Sequence, residues 1–201
     1  MITNYQKMLL DDLNAPQSYG KPLIAWKGQT EFFRDPAAPK HPGALPPPLP
    51  TAFVEETYVL VMLQRPVTVY RGFETQGLKA PFGQDHPSFY LGLVNQRQPG
   101  KPDGMWWSPA RPSLSIDNLG LGSLHREQDR SGPAVKLEWN RIDYYLEAEL
   151  SPRTLVYAGR AAPQQESALY GGRKLGGGGM QFRLTAPPEQ AFKWMKRYTA
   201  S

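Results

Sequence analysis

After residue 56, apolar–polar alternation with a period of two and runs rich in β-branched residues dominate, the pattern of short strands. "TYVLVMLQ" (57–64) and "VTVYRGF" (67–73) read as two strands broken by Pro66. "AVKLEWNRI" (134–142), "YYLEAELS" (144–151), "TLVYAGRAA" (154–162) and "GMQFRLT" (179–185) predict four more. "SFYLGLV" (88–94) fits a strand or a short helix equally. Two segments carry a helical pattern instead. "TNYQKMLLDDL" predicts a short helix capped by Thr3 or Asn4. "PPEQAFKWMKRYTA" opens on prolines suited to a helix start and spaces Ala191, Trp194 and Met195 as a helix would.

Between the first helix and the strands lies "RDPAAPKHPGALPPPLP" (34–50). Proline lacks the backbone donor and fixes φ, so this run can be neither helix nor central strand. It is expected to pack as an extended strap. The chain accordingly divides into an N-terminal arm, 1–50, and a main domain, 51–201, which is expected to fold, less stably, without the arm. The element pattern predicts an α+β domain, mainly β, with short twisted strands and long loops rich in proline and glycine.

Composition narrows the chemistry. There is no cysteine, so thiolate metal sites, disulfides and cysteine nucleophiles are excluded. The three histidines, His41, His86 and His125, are scattered, which argues against a metal centre and for no prosthetic group. No apolar run approaches the ~20 residues that span a bilayer, and the first residues show no signal peptide. A membrane role is not expected, and export requires a dedicated route. The net charge of +5 and sequence pI of about 9.4 fit an anionic nucleotide, an acidic protein or nucleic acid, and equally a solubilising bias.

Three stretches carry candidate chemistry. In "VTVYRGFE", Arg71 ends a strand beside a glycine, where a guanidinium can hold a phosphate bidentately; a surface ion pair is the alternative. In "GMWWSPARPS", Trp106 and Trp107 point to opposite faces, one to a core and one to a cleft or another sheet, with plain packing of both rings as the alternative, followed by Ser108 and Arg111. In "LYGGRKLGGGGMQFRL", four glycines, Gly176 to Gly179, run into a strand whose first polar residue is Gln181. Those glycines fit neither a P-loop nor a dinucleotide fingerprint. They imply either a plain loop or a place where something approaches the backbone closely.

Taken together, "VYRG", "WWSP" and "LEAELSPRTLVYAGRAAP" leading into "GGGGMQF" resemble the tuberculosis necrotizing toxin-type NAD glycohydrolases, relatives of the ADP-ribosyltransferase fold. The order of motifs matches over roughly residues 64–185. The resemblance implies split twisted sheets around an NAD cleft, with Gln181 as the catalytic glutamine and Arg71 as the NAD-holding arginine. It further implies that Gly178 and Gly179 let backbone approach the dinucleotide, and that Trp107, Ser108 and Arg111 line the cleft. NAD+ or NADP+ is then the substrate, and a toxin or effector, secreted or injected, acts in the cytoplasm of a target cell. An inhibitory immunity protein is the implied partner. Two departures stand out: "QQESALYGGRK" lengthens the loop before the glycines, and the family's second basic residue has two candidates, Arg111 and His125.

The chemistry is coherent with those residues. Nicotinamide leaves as a neutral group and the ribose becomes oxocarbenium-like, so the site needs a cation for the pyrophosphate, an aromatic wall and a polar residue at the ribose. A glutamine is a feeble base and acts by positioning. Two other readings stay open. "APQQES" offers Gln164 and Glu166 as the Gln-x-Glu of a mono-ADP-ribosyltransferase, although Glu166 is expected to be a solvated loop carboxylate. A basic β-rich module binding single-stranded nucleic acid is the other, disfavoured because the aromatics are not interleaved with basic residues on one strand.

Overall fold

The run Thr57–Leu63 is buried on both of its faces, which only the interior of a covered sheet can accommodate. The computed structural model describes residues 1–15, 18–73, 105–112, 131–132, 144–185 and 193–197. In chain order its strands are β1 (Gly20–Lys27), β2 (Thr30–Arg34), β3 (Thr57–Leu63), β4 (Val67–Phe73), β5 (Trp106–Trp107) and β6 (Tyr144–Leu150). Then come β7 (Leu155–Arg160), β8 (Gln164–Gln165), β9 (Lys174–Leu175), β10 (Met180–Leu184) and β11 (Lys193–Arg197). Six of them form a sheet ordered β2-β1-β3-β7-β10-β5, three form β11-β6-β4, and β8 pairs with β9. The described residues are thus mainly β, with antiparallel pairing throughout.

The helix α1 (Asn4–Asn14) starts at Thr3, whose hydroxyl accepts from the Gln6 amide while the Gln6 side chain accepts from the Thr3 amide. This reciprocal box satisfies two of the donors a helix start leaves open. Leu9, Leu10 and Leu13 then face the sheet and join Ala25, Val59, Val61, Val156, Ala158, Met180, Phe182 and Trp107 in the larger core cluster. Val67 and Val69 of β4 and Ala148 and Leu150 of β6 belong to the same cluster, so the two large sheets share one core.

The opposite face of the six-stranded sheet is covered by the proline-dense segment. Leu45 and Phe53 are buried against Trp26, Tyr58, Leu60 and Tyr157. Hydrogen bonds fasten the segment down: Tyr157 Oη donates to Gly43 O at 2.5 Å, the Leu45 amide donates to Tyr58 Oη at 3.0 Å, and Gln29 Nε2 donates to Leu45 O at 2.5 Å. Stacked and tilted rings run beneath it, from Trp26 to Tyr58 (5.5 Å) to Phe53 (5.4 Å) to Trp106 (5.5 Å).

Two expectations need correction. The boundary at residue 50 divides nothing, because β1 lies inside the sheet between β2 and β3. A proline, Pro22, is tolerated in that strand because the register with β3 slips there, pairing Pro22 with Val61 and Ile24 with Leu60. The C-terminal helix is also absent at residues 193–197, which form β11, antiparallel to β6. Pairing to an open sheet edge outweighs a helical spacing of three apolar residues. The segments 88–94 and 134–142, read as strands or as strand or helix, lie outside the described residues.

Candidate active site

The three motifs meet at a seam between the two large sheets. Tyr70 of β4 bridges Ser108 just past β5, each amide bonding the other's carbonyl at 2.7 and 2.9 Å. β5 in turn pairs with β10, Trp107 opposite Phe182 and Trp106 opposite Arg183. Residues near 70, 108 and 181, far apart in sequence, therefore occupy neighbouring strands. One further step of the same register sets Ser108 beside Gln181.

Alternation then sorts the side chains by face. Met180, Phe182 and Leu184 enter the larger core, so Gln181 and Arg183 leave β10 on the other face, under the strap. Gln181 is 8% exposed, and its Nε2 donates to Ala52 O at 2.7 Å. Because a carbonyl can only accept, this bond fixes the amide's orientation and leaves Oε1 as its free acceptor among the described residues. On the β7 side of Gln181 stands Gly159, and the Phe53 ring occupies the space where a side chain there would go, 2.5 Å from an added Cβ.

Arg183 sits in a cross-strand row with Tyr157 on one side and Trp106 on the other. Burial raises the Tyr157 phenol above its ordinary pKa, and the Arg183 guanidinium pulls it back only in part. Nearer the seam, burial and the Glu147 carboxylate raise the Tyr70 phenol while Arg111 lowers it, so the exposed Arg111 sits within electrostatic reach of the seam. The Ser108 hydroxyl donates to Met180 O at 3.3 Å and accepts from the Ala110 amide at 3.2 Å, which shapes the turn out of β5.

Several expected site residues fall elsewhere. Trp107 is 3% exposed and packed in the larger core, so Trp106 is the tryptophan on the Gln181 face. Arg71 follows Val67 and Val69 in alternation and leaves β4 on the larger core's face, opposite Gln181. Glu166 is no solvated carboxylate: it is 2% exposed, and Arg173 Nε lies 3.2 Å from its Oε2 in the β8–β9 hairpin. The glycine run admits protein backbone. An added Cβ on Gly177 would meet Ala161 O at 2.4 Å, and one on Gly179 would meet Gly132 O at 2.8 Å. Gly178 has φ +82° and open space around it.

Arg183 and Trp106 were within reach of the sequence. Strand alternation places Arg183 on the face of Gln181, but the resemblance gives the cation role to the arginine of "YRG". Among the described residues no group of three or more His, Asp or Glu is placed to hold a metal ion. No helix among them is long and apolar enough to cross a membrane. No protein-family model, curated protein or solved structure matches the chain.

Proposed function

We propose that the protein is an NAD(P)+ glycohydrolase of the ADP-ribosyltransferase-like kind. The observation that carries this reading is the convergence of "VYRG", "WWSP" and "GGGGMQF" on the adjoining strands β4, β5 and β10. The resemblance requires the strands that carry those motifs to adjoin, and they do, although Arg71 and Trp107 leave them on the face opposite Gln181.

In this reading Gln181 Oε1 accepts a hydrogen bond from a ribose hydroxyl or from the attacking water. Its amide is held in place by Ala52, so the acceptor is oriented before substrate arrives. The C1′–N bond breaks with its electron pair going to the pyridinium nitrogen, and nicotinamide departs neutral. Water adds to the ribose carbon and loses a proton, giving ADP-ribose. The transferase alternative has less support, because Glu166 is turned into its own hairpin and held by Arg173. A toxin or effector role, and an inhibitory partner to protect the producer, belong to the same proposal. Incubation with NAD+ tests it: nicotinamide and free ADP-ribose should appear in equal amounts without any protein acceptor, and their absence would remove the reading.

A further inference from the structure

The motif that assigns a phosphate-holding arginine puts it on the wrong face. A ligand that reaches Gln181 Oε1 lies on the strap side of β10, whereas Arg71 leaves β4 on the side of the larger core. The Gln181 face carries its own cation. Arg183 is two residues further along the same strand, about 7 Å away on one face, a separation that a ribose and its neighbouring phosphates bridge.

Partial burial without an ion pair among the described residues sets Arg183 apart from Arg34, Arg65, Arg160 and Arg173. Arg34 is paired with Glu31 at 2.5 Å, Arg160 with Asp12, and Arg173 with Glu166 at 3.2 Å, while Arg65 donates to Ser18 O at 3.1 Å. Arg183 makes no ion pair or hydrogen bond with any described residue, although it is only partly exposed. Its cross-strand neighbours are two aromatics, Tyr157 and Trp106, which offer no negative charge, since the Tyr157 phenol is kept neutral and donates to Gly43 O. A partly exposed guanidinium flanked by rings, with no counter-charge among the described residues, is favoured by an anion that completes it. A planar fork beside an indole suits a nucleotide, whose phosphates and flat base are joined through a ribose.

We propose that Arg183, and not Arg71, holds the phosphates of a nucleotide at this site, with Trp106 as the adjacent stacking ring. The inference rests on the glycohydrolase reading for its substrate, but it makes a claim about binding that survives without turnover. The probe is ADP, which carries the pyrophosphate and lacks the nicotinamide–ribose bond.

ADP affinity is measured by calorimetry on the full chain and on Arg183→Ala, Arg183→Lys and Arg71→Ala, with NAD+ hydrolysis followed in parallel. Arg183→Ala should weaken ADP binding roughly tenfold to a hundredfold, as loss of a charge-assisted bidentate contact does. Arg183→Lys should fall between, because it keeps the charge and loses the fork. Arg71→Ala should stay within about threefold of the parent. If Arg183→Ala does not fold, the Lys variant carries the comparison. ADP binding that depends on Arg71 and ignores both Arg183 variants overturns the inference and leaves the glycohydrolase reading standing. Arg183-dependent ADP binding with no NAD+ hydrolysis supports the inference and removes that reading. A parent chain that binds no ADP overturns the inference, whatever its activity.

Discussion

Gln181 donates its side-chain amide to the Ala52 carbonyl at 2.7 Å, joining the strand after the glycine run to the end of the proline-rich strap. The bond has two consequences, one for stability and one for chemistry. Gln181→Ala should cost about 1 kcal/mol of folding stability, the usual net worth of such a bond, and lower NAD+ turnover by about a hundredfold or more. Gln181→Glu turns a carboxylate oxygen toward the Ala52 carbonyl, so it should destabilise more than Ala does at neutral pH. Chemical denaturation of the two variants checks the order; a more stable Glu variant would show that the amide does not face Ala52.

The glycines answer to local crowding in a graded way. Gly177 combines φ +68° with a backbone oxygen 2.4 Å from an added Cβ, whereas Gly178 has φ +82° and open space. Gly178→Ala should cost ~1–2 kcal/mol, the penalty of a left-handed conformation for an L residue. Gly177→Ala adds a clash with Ala161 and should cost clearly more. Equal denaturation midpoints for the two variants would contradict this account of the run.

A chain beginning at Thr51 should fail to fold. It would lose α1, which supplies three leucines to the larger core, together with β1, which pairs with β3 along its whole length. It would also strip the cover from Trp26's partners Tyr58 and Tyr157. Far-UV circular dichroism with a cooperative melt on that truncated chain decides it; a native-like melt would restore the arm as a separable piece.

How much of this was legible in the sequence follows from what alternation can and cannot say. β3, β4, β7 and β10 alternate cleanly or run apolar between turn residues, and Thr3 with Gln6 spells out the start of α1. β1 was lost because "GKPLIAWK" holds a proline and sits just before a proline-dense run; the register slip that accommodates Pro22 is a tertiary feature. β11 was lost to three apolar residues that fit a helix, where the edge of β6 selected a strand. In the site, the resemblance singles out Gln181 but says nothing of its face; the burial of Met180, Phe182 and Leu184 places it opposite the larger core, whereas Arg71 follows Val67 and Val69 toward that core. Which of the paired tryptophans is buried depends on Phe182, a partner seventy-odd positions away that no local pattern reveals.

Alkaline pH should loosen the strap. Burial pushes the Tyr58 phenol up to about 12, above the roughly 10 of an unfolded tyrosine. A raised acid contributes stability that is complete below pH 10 and is lost as pH climbs through 12, because the unfolded chain sheds the proton first. The melting temperature should therefore fall between pH 10 and 12. Tyr58→Phe should be less stable at neutral pH, having lost the bonds to Gly28 O and from the Leu45 amide, yet decline less over that alkaline range. Parallel slopes for parent and variant would mean that Tyr58 is not the group responsible.

The central claim, that Gln181 acts on the ribose of NAD+ at the β4–β5–β10 seam, is tested most directly by product analysis of NAD+ incubated with the parent chain, Gln181→Ala and Glu166→Gln. The parent should release nicotinamide and free ADP-ribose in equal amounts, Glu166→Gln should do the same at a similar rate, and Gln181→Ala should be slower by about a hundredfold or more. Full activity in Gln181→Ala, with activity abolished in Glu166→Gln, would contradict the account and move the chemistry to the β8–β9 hairpin.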